Sequence, residues 1–301
     1  MNKPTKELSR MYCSMVMQLI QNGERVSPRG KASRELTGGA ITIPDPHDNV
    51  IQIPERKLNY HFMVAEAFWM MLGREDVSMI RHYNKNLEQF SDDGVKFAGA
   101  YGPRIMAQLP RIIDTLMRDP MSRQAVISIW DRMPTKGSKD VPCTVSMQFF
   151  LRGDPPRLRM IVYMRSSDIW WGLPYDIFNF TMIQNALAAE LNEKLGTFSL
   201  FIGSSHIYEE HVNAAMRMCV DTHESRWGEY LTPDLPGWPL DSFNTSELLA
   251  RNGSFVASDH ARTWDQYLEI LSHRASKRDD LLVGNAFGEM MLKMKESRHA
   301  T

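Results

Sequence analysis

Three runs of strand patterning, at residues 124–131 (QAVISIWD), 143–152 (CTVSMQFFLR) and 157–165 (RLRMIVYMR), follow one another with only turn-forming stretches between them. Strands joined by turns rather than by a helix pair antiparallel, so this part of the chain commits the fold to a sheet. Helical spacing of apolar residues surrounds it, over 4–22 (ending at Asn22-Gly23), 60–73, 103–118 and 175–193. The basic, glycine-bearing stretch 24–39 reads as a loop, 40–53 (AITIPDPHDNVIQI) as a strand, and the polar stretch after 73 as an exposed, turn-rich segment. A further strand is predicted over 197–207. Beyond 208 the chain reads as largely helical, broken by a Pro- and Trp-bearing loop at 232–240. With no internal repeat or linker, the expectation is a single α+β domain over 1–301 in which helices cover a mostly antiparallel, mixed sheet. Its core spans about 25–215 and a helical C-terminal extension about 216–301.

A hydrophobic content of 43% over 301 residues is enough for a large core. The formal net charge of -1 supplies no broad basic field for a nucleic-acid backbone, whereas a phosphate on a small molecule needs only a few placed arginines. The three cysteines, Cys13, Cys143 and Cys219, form no closely spaced pair, which argues against a disulfide framework or zinc knuckle. A polar start (MNKPTKELSR) and the lack of a run of about 18 apolar residues suggest a cytoplasmic protein without a membrane partner.

The densest chemistry lies in 165–176 (RSSDIWWGLPYD) together with Cys143. Cys13 and Cys219 sit inside helical patterns and read as small core residues. Cys143 opens a strand, and a cysteine becomes a nucleophile where a neighbouring cation favours its thiolate; Arg165 is the candidate. Arg165 and Ser166 together suit a phosphate, through a forked guanidinium and a hydroxyl donor. His206 and His211 beside Glu209 and Glu210 do not form a metal-ligand pattern, since their spacing at a strand-to-helix junction points them apart.

These segments resemble the thymidylate synthase superfamily. The likeness is carried by PCTVSMQFFL (142–151), RSSDIWWGLPYDIFNF (165–180), GSSHIYEEH (203–211), AEAFWMMLG (65–73), GAYGPR (99–104) and DPMSRQAVISIW (119–130), in the family's order over about residues 25–215. The resemblance implies that Cys143 adds to C6 of a pyrimidine monophosphate, that Glu66 organises water and moves protons, and that Tyr101 lies near the nucleophile. It implies phosphate contacts from Arg165, Ser166, one of Arg29 or Arg34, and Arg123 acting across a homodimer interface. It assigns His206 and Tyr208 to the sugar hydroxyl, and Asp168, Gly172 and Tyr175 to a folate cosubstrate, 5,10-methylenetetrahydrofolate, with no metal.

The departures bear on the reaction. Asp176 stands where thymidylate-forming members carry asparagine. A carboxylate cannot donate to uracil O4 but accepts from a cytosine amino group, and if protonated it also donates to N3; aspartate here is the pattern of the superfamily's cytidylate hydroxymethylases. No tryptophan lies between Trp69 and Trp130 to cover a reactive methylene, so water can add there, with Phe90 as a substitute shield. Gln124 replaces the second of two successive arginines, Thr144 replaces a histidine, and the short apolar C-terminus is absent, the loop around 227–240 being a candidate cap. The expectation is therefore a cytidylate 5-hydroxymethyltransferase, with dCMP ahead of CMP. Thymidylate synthase or dUMP hydroxymethylase activity, or a non-catalytic nucleotide-binding relative, stand as alternatives.

Overall fold

The computed structural model describes residues 6–131, 137–221, 224–239, 242–255 and 262–297. Among the described residues, six strands form one sheet: β1 (Glu24–Val26), β2 (Ser33–Ile43), β3 (Val126–Ser128), β4 (Thr144–Arg152), β5 (Arg157–Asp168) and β6 (Lys194–Tyr208). They lie in the order β1-β2-β6-β5-β4-β3, and every pair is antiparallel except β5 with β6. A parallel pair needs a crossover, and α5 (Leu173–Glu190) supplies it.

Nine helices complete the described fold: α1 (Glu7–Asn22), α2 (Tyr60–Met71), α3 (Val77–Tyr83), α4 (Tyr101–Arg118), α5, α6 (Glu209–Asp221), α7 (Ser242–Arg251), α8 (Arg262–Ser276) and α9 (Ala286–Ser297). Two of them, α2 and α5, are apolar almost all round, which suits only a helix covered on every side. Accordingly α5 lies on the sheet, α2 on α5, and the C-terminal helices on α2. Phe68 of α2 stacks on Phe243 at 4.1 Å and meets Tyr267 edge-on, while Tyr60 meets Phe287. One continuous hydrophobic core therefore runs from Leu8 to Met294, and the C-terminal extension is part of it.

Several local expectations are corrected. The stretch 24–39 is not a loop: β1 and most of β2 lie there, hidden by a partly exposed face and by Gly38-Gly39. Of 40–53 only the first four residues are strand; Val50, Ile51 and Ile53 are fully buried as irregular chain, so the apolar content reflected burial and not pairing. The polar segment after 73 holds α3, started by the Asp76 side chain accepting the Met79 N–H, followed by a 3-10 stretch at Lys85–Phe90. The 227–239 loop does not cap the catalytic region. Gln52 exchanges hydrogen bonds with Tyr230, and the Trp238 indole donates to the Met71 carbonyl, docking the loop on the core.

Candidate active site

Topology gathers residues distant in sequence. β5 and β6 run parallel and end together at Asp168 and Tyr208, with Asp168 paired to His206. β4 runs against β5, so its start, where Cys143 lies, falls at that same end; the Arg165 N–H donates to the Cys143 carbonyl at 2.8 Å. β2 begins there too, with Ser33 opposite Tyr208, which brings the preceding turn and Arg29 to the site. Arg29 adopts a left-handed conformation (φ 54) next to Gly30 (φ 78), a tight turn that leaves its side chain exposed.

The Cys143 sulfur is 3.8 Å from Nη2 of Arg165, whose Nε and Nη2 also donate to the carbonyls of Pro142 and Val141. Burial pushes the thiol up; the Arg165 and Arg29 charges pull it down, and Asp176 and Asp140 push it further up. The Tyr101 hydroxyl oxygen accepts the N–H groups of Cys143 and Thr144, at 3.2 Å each, and so fixes the backbone that carries the sulfur. Burial raises the Tyr101 hydroxyl as well, keeping it neutral.

Beside this lies a cavity of about 180 Å³ between α2, α4 and the 80–100 segment. Its polar wall is Glu66, Tyr101, Asp140 and Asp176; its apolar wall includes Trp69, Leu87, Phe90 and Phe97. Phe90 is 46% exposed at this wall, in the stretch where a covering side chain was expected. Burial pushes the Glu66 carboxyl up to about 7, offset in part by the Asn179 amide, which donates to it at 2.7 Å. Burial also raises Asp176 well above the carboxylate range, reinforced by the charges of Glu66 and Asp168 and opposed by the Ser167 hydroxyl. Asn179 Oδ1 is buried without a protein partner, the chemistry that ordered water satisfies.

The remaining expected residues divide. Ser166 Oγ lies 3.4 Å from Nδ1 of His206, and His206 meets Tyr208 edge-on, so these three form one polar strip. Of the two loop arginines, Arg34 donates to Glu209 and to the Ile20 carbonyl, whereas Arg29 stands exposed on its turn. Tyr175 is buried with its hydroxyl accepting the Asn59 N–H, and so props the start of α2 without lining the cavity. Asp168 is fixed as an acceptor because its Oδ1 already holds the N–H groups of Trp170 and Trp171. A Cβ on Gly172 would come within 3.3 Å of Asp176 Oδ2 and the Asp168 carbonyl, so glycine keeps the base edge open. Arg123 is exposed ahead of the edge strand β3. His211 Nε2 accepts the Trp171 indole N–H at 2.6 Å. Among the described residues no group of three or more His, Cys, Asp or Glu is placed to hold a metal ion, and none of the helices is long and apolar enough to cross a membrane.

Sequence reasoning missed Asp140 and Asn179. Asp140 lines the cavity three residues before the nucleophile; its Oδ2 accepts the Gly99 N–H at 2.6 Å, and burial raises its carboxyl. Its closeness to Cys143 was the available signal, but a loop aspartate reads equally well as surface. Cys13 and Cys219, taken as separate core residues, lie near each other across α1 and α6.

A mostly antiparallel single sheet with one parallel crossover, presenting a cysteine beside an arginine and a pair of buried carboxyls, is a fold of the thymidylate synthase type. The thymidylate synthase family profile matches residues 10–227, and the chain belongs to that family. It is similar to the deoxyuridylate hydroxymethyltransferase of Bacillus phage SP01, 32% identical over 232 residues that cover 71% of this chain and 59% of that protein. Similar proteins of the same description occur in Delftia phage PhiW-14 (32% over 231 residues, 70% of this chain and 61% of the relative) and in Pseudomonas phage M6 (33% over 176 residues, 56% and 50%). The chain thus spans between half and about three fifths of these relatives' length.

These relatives overturn the cytidylate assignment, since each is described as acting on deoxyuridylate. Asp176 does not by itself select the base: burial raises its carboxyl and favours the protonated form, which can pair with a uracil edge as well as with a cytosine edge. A neutral carboxylic acid offers one O–H donor and one carbonyl acceptor, the same pair that an asparagine amide presents to uracil O4 and N3–H.

Proposed function

We propose that the protein is a folate-dependent 5-hydroxymethyltransferase acting on deoxyuridine monophosphate. The observation that carries this reading is the buried Asp176 acid facing the same cavity as Glu66, next to Cys143 and Arg165. Arg29, Arg165 and Ser166 would hold the phosphate, and His206 and Tyr208 the sugar. The Cys143 thiolate adds to C6 of the base, raising electron density at C5. The neutral Asp176 donates to O4 and accepts from N3–H, holding the charge that develops on the ring.

A pterin presents ring N–H and amino donors and a flat apolar face. The fixed acceptor Asp168 and the Trp69, Leu87, Phe90 and Phe97 wall fit those demands. When bound, 5,10-methylenetetrahydrofolate supplies the one-carbon unit that becomes attached to C5. Glu66, with its pKa near 7 and a tie to Asn179, takes the C5 proton through water. With the C5 proton removed, the bond from the one-carbon unit to the folate nitrogen would break, releasing tetrahydrofolate; water then adds to the exocyclic methylene left on the base, the C6–S bond breaks and Cys143 is released. The polar side of the cavity at Asp140 admits that water. A homodimer fits this reading: Arg123 is exposed for a partner's phosphate, and Tyr163 and Phe201 stack at 5.5 Å on an exposed sheet face.

Product analysis tests the proposal. Purified protein supplied with dUMP, dCMP or CMP and methylenetetrahydrofolate is expected to convert dUMP to its 5-hydroxymethyl derivative, with no dihydrofolate absorbance. A methyl product with dihydrofolate, or preferential use of a cytosine nucleotide, would overturn it.

Two variants test individual assignments. Asp176→Asn presents the same donor–acceptor pair and is expected to keep dUMP turnover within about tenfold. Asp176→Ala leaves the base edge unpaired, at about 1–3 kcal/mol, and should lower kcat/KM by roughly tenfold to a hundredfold. Equal losses from both would mean that Asp176 does not read the base. Arg29→Ala is expected to raise the KM for nucleotide by about tenfold or more through loss of a charge-assisted contact. Arg34→Ala should leave KM nearly unchanged and instead lower the melting temperature, because it breaks the half-buried pair with Glu209.

A further inference from the structure

Away from the catalytic cavity, a second and larger one of about 590 Å³ opens between α3 and the ends of α7 and α8. It is lined by Ser78, Arg81, His82, Lys85, Arg251, Arg274 and Lys277. Every fully ionised group in that lining is cationic, in a chain whose formal net charge is -1. Two of the five cations are neutralised from outside the cavity: Arg81 by Glu88 at 3.0 Å, and Arg251 by the fully buried Glu247 at 2.6 Å. Among the described ion pairs, Lys85, Arg274 and Lys277 have no carboxylate partner; Arg274 donates through Nε to the His82 carbonyl.

Helix ends alone do not explain this surplus. The C-termini of α3, α7 and α8 converge here, and cations are favoured at such ends. Three helix ends together carry at most about −1.5 elementary charges, against three uncompensated cations. The repulsion is felt by neighbouring groups. Burial lowers the basicity of His82, and the charges of Arg251 and Arg274 lower it further; Arg274 and Lys277 act in the same direction on His61. His82 Nε2 is buried without a partner. Arginine forks with flexible lysines suit phosphate oxygens, and the cavity is too large for a single orthophosphate.

We propose that this cavity is a binding site for a di- or triphosphate group, carried free or on a nucleotide, distinct from the catalytic phosphate contacts. Arg81, His82 and Lys85 lie on the same segment as Ile80, Leu87 and Phe90, which wall the catalytic cavity. An anion here therefore braces that wall from behind. Three of its ligands, Arg251, Arg274 and Lys277, come from the region beyond residue 227, outside the family match, so the site belongs to this chain's own C-terminal helices.

Calorimetric titration of the full-length protein with tripolyphosphate, and separately with dUTP, tests this in the presence of saturating dUMP. Saturable binding below about 1 mM is expected, and a Lys85→Glu, Lys277→Glu double variant should weaken it at least about tenfold. Both lysines are exposed, so folding should be unaffected, and Lys194→Glu, on the exposed start of β6, serves as a charge control that should bind like wild type. Tighter binding of dUTP than of tripolyphosphate would identify a nucleotide as the source; equal binding would identify the phosphate chain alone. The proposal is overturned if binding is not saturable in that range, if the double variant binds as tightly as wild type, if dUMP displaces the ligand, or if triglutamate binds equally well.

Discussion

Replacing Cys143 with alanine is expected to abolish turnover, by roughly four orders of magnitude or more, while leaving nucleotide binding within a fewfold of wild type. In the proposed reaction every step runs through a bond between this sulfur and the ring, and neither other thiol is placed to substitute: Cys13 and Cys219 lie near each other across α1 and α6. The backbone around position 143 is held by the Tyr101 hydroxyl and by β4–β5 pairing, neither of which uses the sulfur. The variant should therefore fold, with a stability change of about 1 kcal/mol or less. Release of tritium from C5 of labelled dUMP is the measurement of choice, because it reports ring activation independently of the final product. Undiminished release would remove the nucleophile and with it the mechanism. Loss of release together with loss of nucleotide binding would point instead to a structural role.

How much of this was legible without coordinates varies by residue. Cys143, Arg165, Ser166 and Asp168 stand out because chemically capable residues crowd into short segments that strand direction brings to one end of the sheet, whereas Glu66 was singled out only through the family resemblance. The choice between Arg29 and Arg34 was closed to sequence reasoning. Both are arginines of one basic stretch, and only the contact of Arg34 with Glu209 and Ile20 separates them. The strand Ser33–Ile43 was obscured because it lies near the sheet edge, where half-exposed polar residues replace the alternation that marks a covered strand. Asp176 is the most instructive case. Its identity was read correctly and its position matched the family pattern, but its charge is a property of the tertiary environment. Burial beside a second carboxyl raises it and favours the protonated form, which can pair with a uracil edge as well as a cytosine edge, so the residue alone does not name the base. Tyr175 carries the same lesson in a milder form, since its hydroxyl proves to be directed at the Asn59 amide.

Glu66→Gln should lower turnover by roughly a hundredfold to ten-thousandfold, the range spanned by loss of a positioned proton-transfer group, and should raise stability at the same time. Its carboxyl is pushed by burial from an ordinary 4.5 up to about 7 in the folded protein. A raised folded pKa means that the native state binds this proton more tightly than the unfolded chain does. The contribution to stability is therefore fully present below about pH 4.5 and is lost as pH rises towards 7. Above pH 7 the buried, ionised carboxylate costs roughly 2–3 kcal/mol relative to the neutral acid. Glutamine keeps the shape, can still hydrogen-bond to Asn179 after an amide rotation, and never ionises. Denaturant titrations at pH 5 and pH 8 are expected to show a small difference between wild type and variant at the lower pH and a gain for the variant at the higher. The activity profile should move in step: wild-type kcat changes with an apparent pKa near 7, and the residual activity of Glu66→Gln loses that inflection. If the variant is as active as wild type, or its stability gain over wild type is no larger at pH 8 than at pH 5, then Glu66 is not the buried proton carrier of the site.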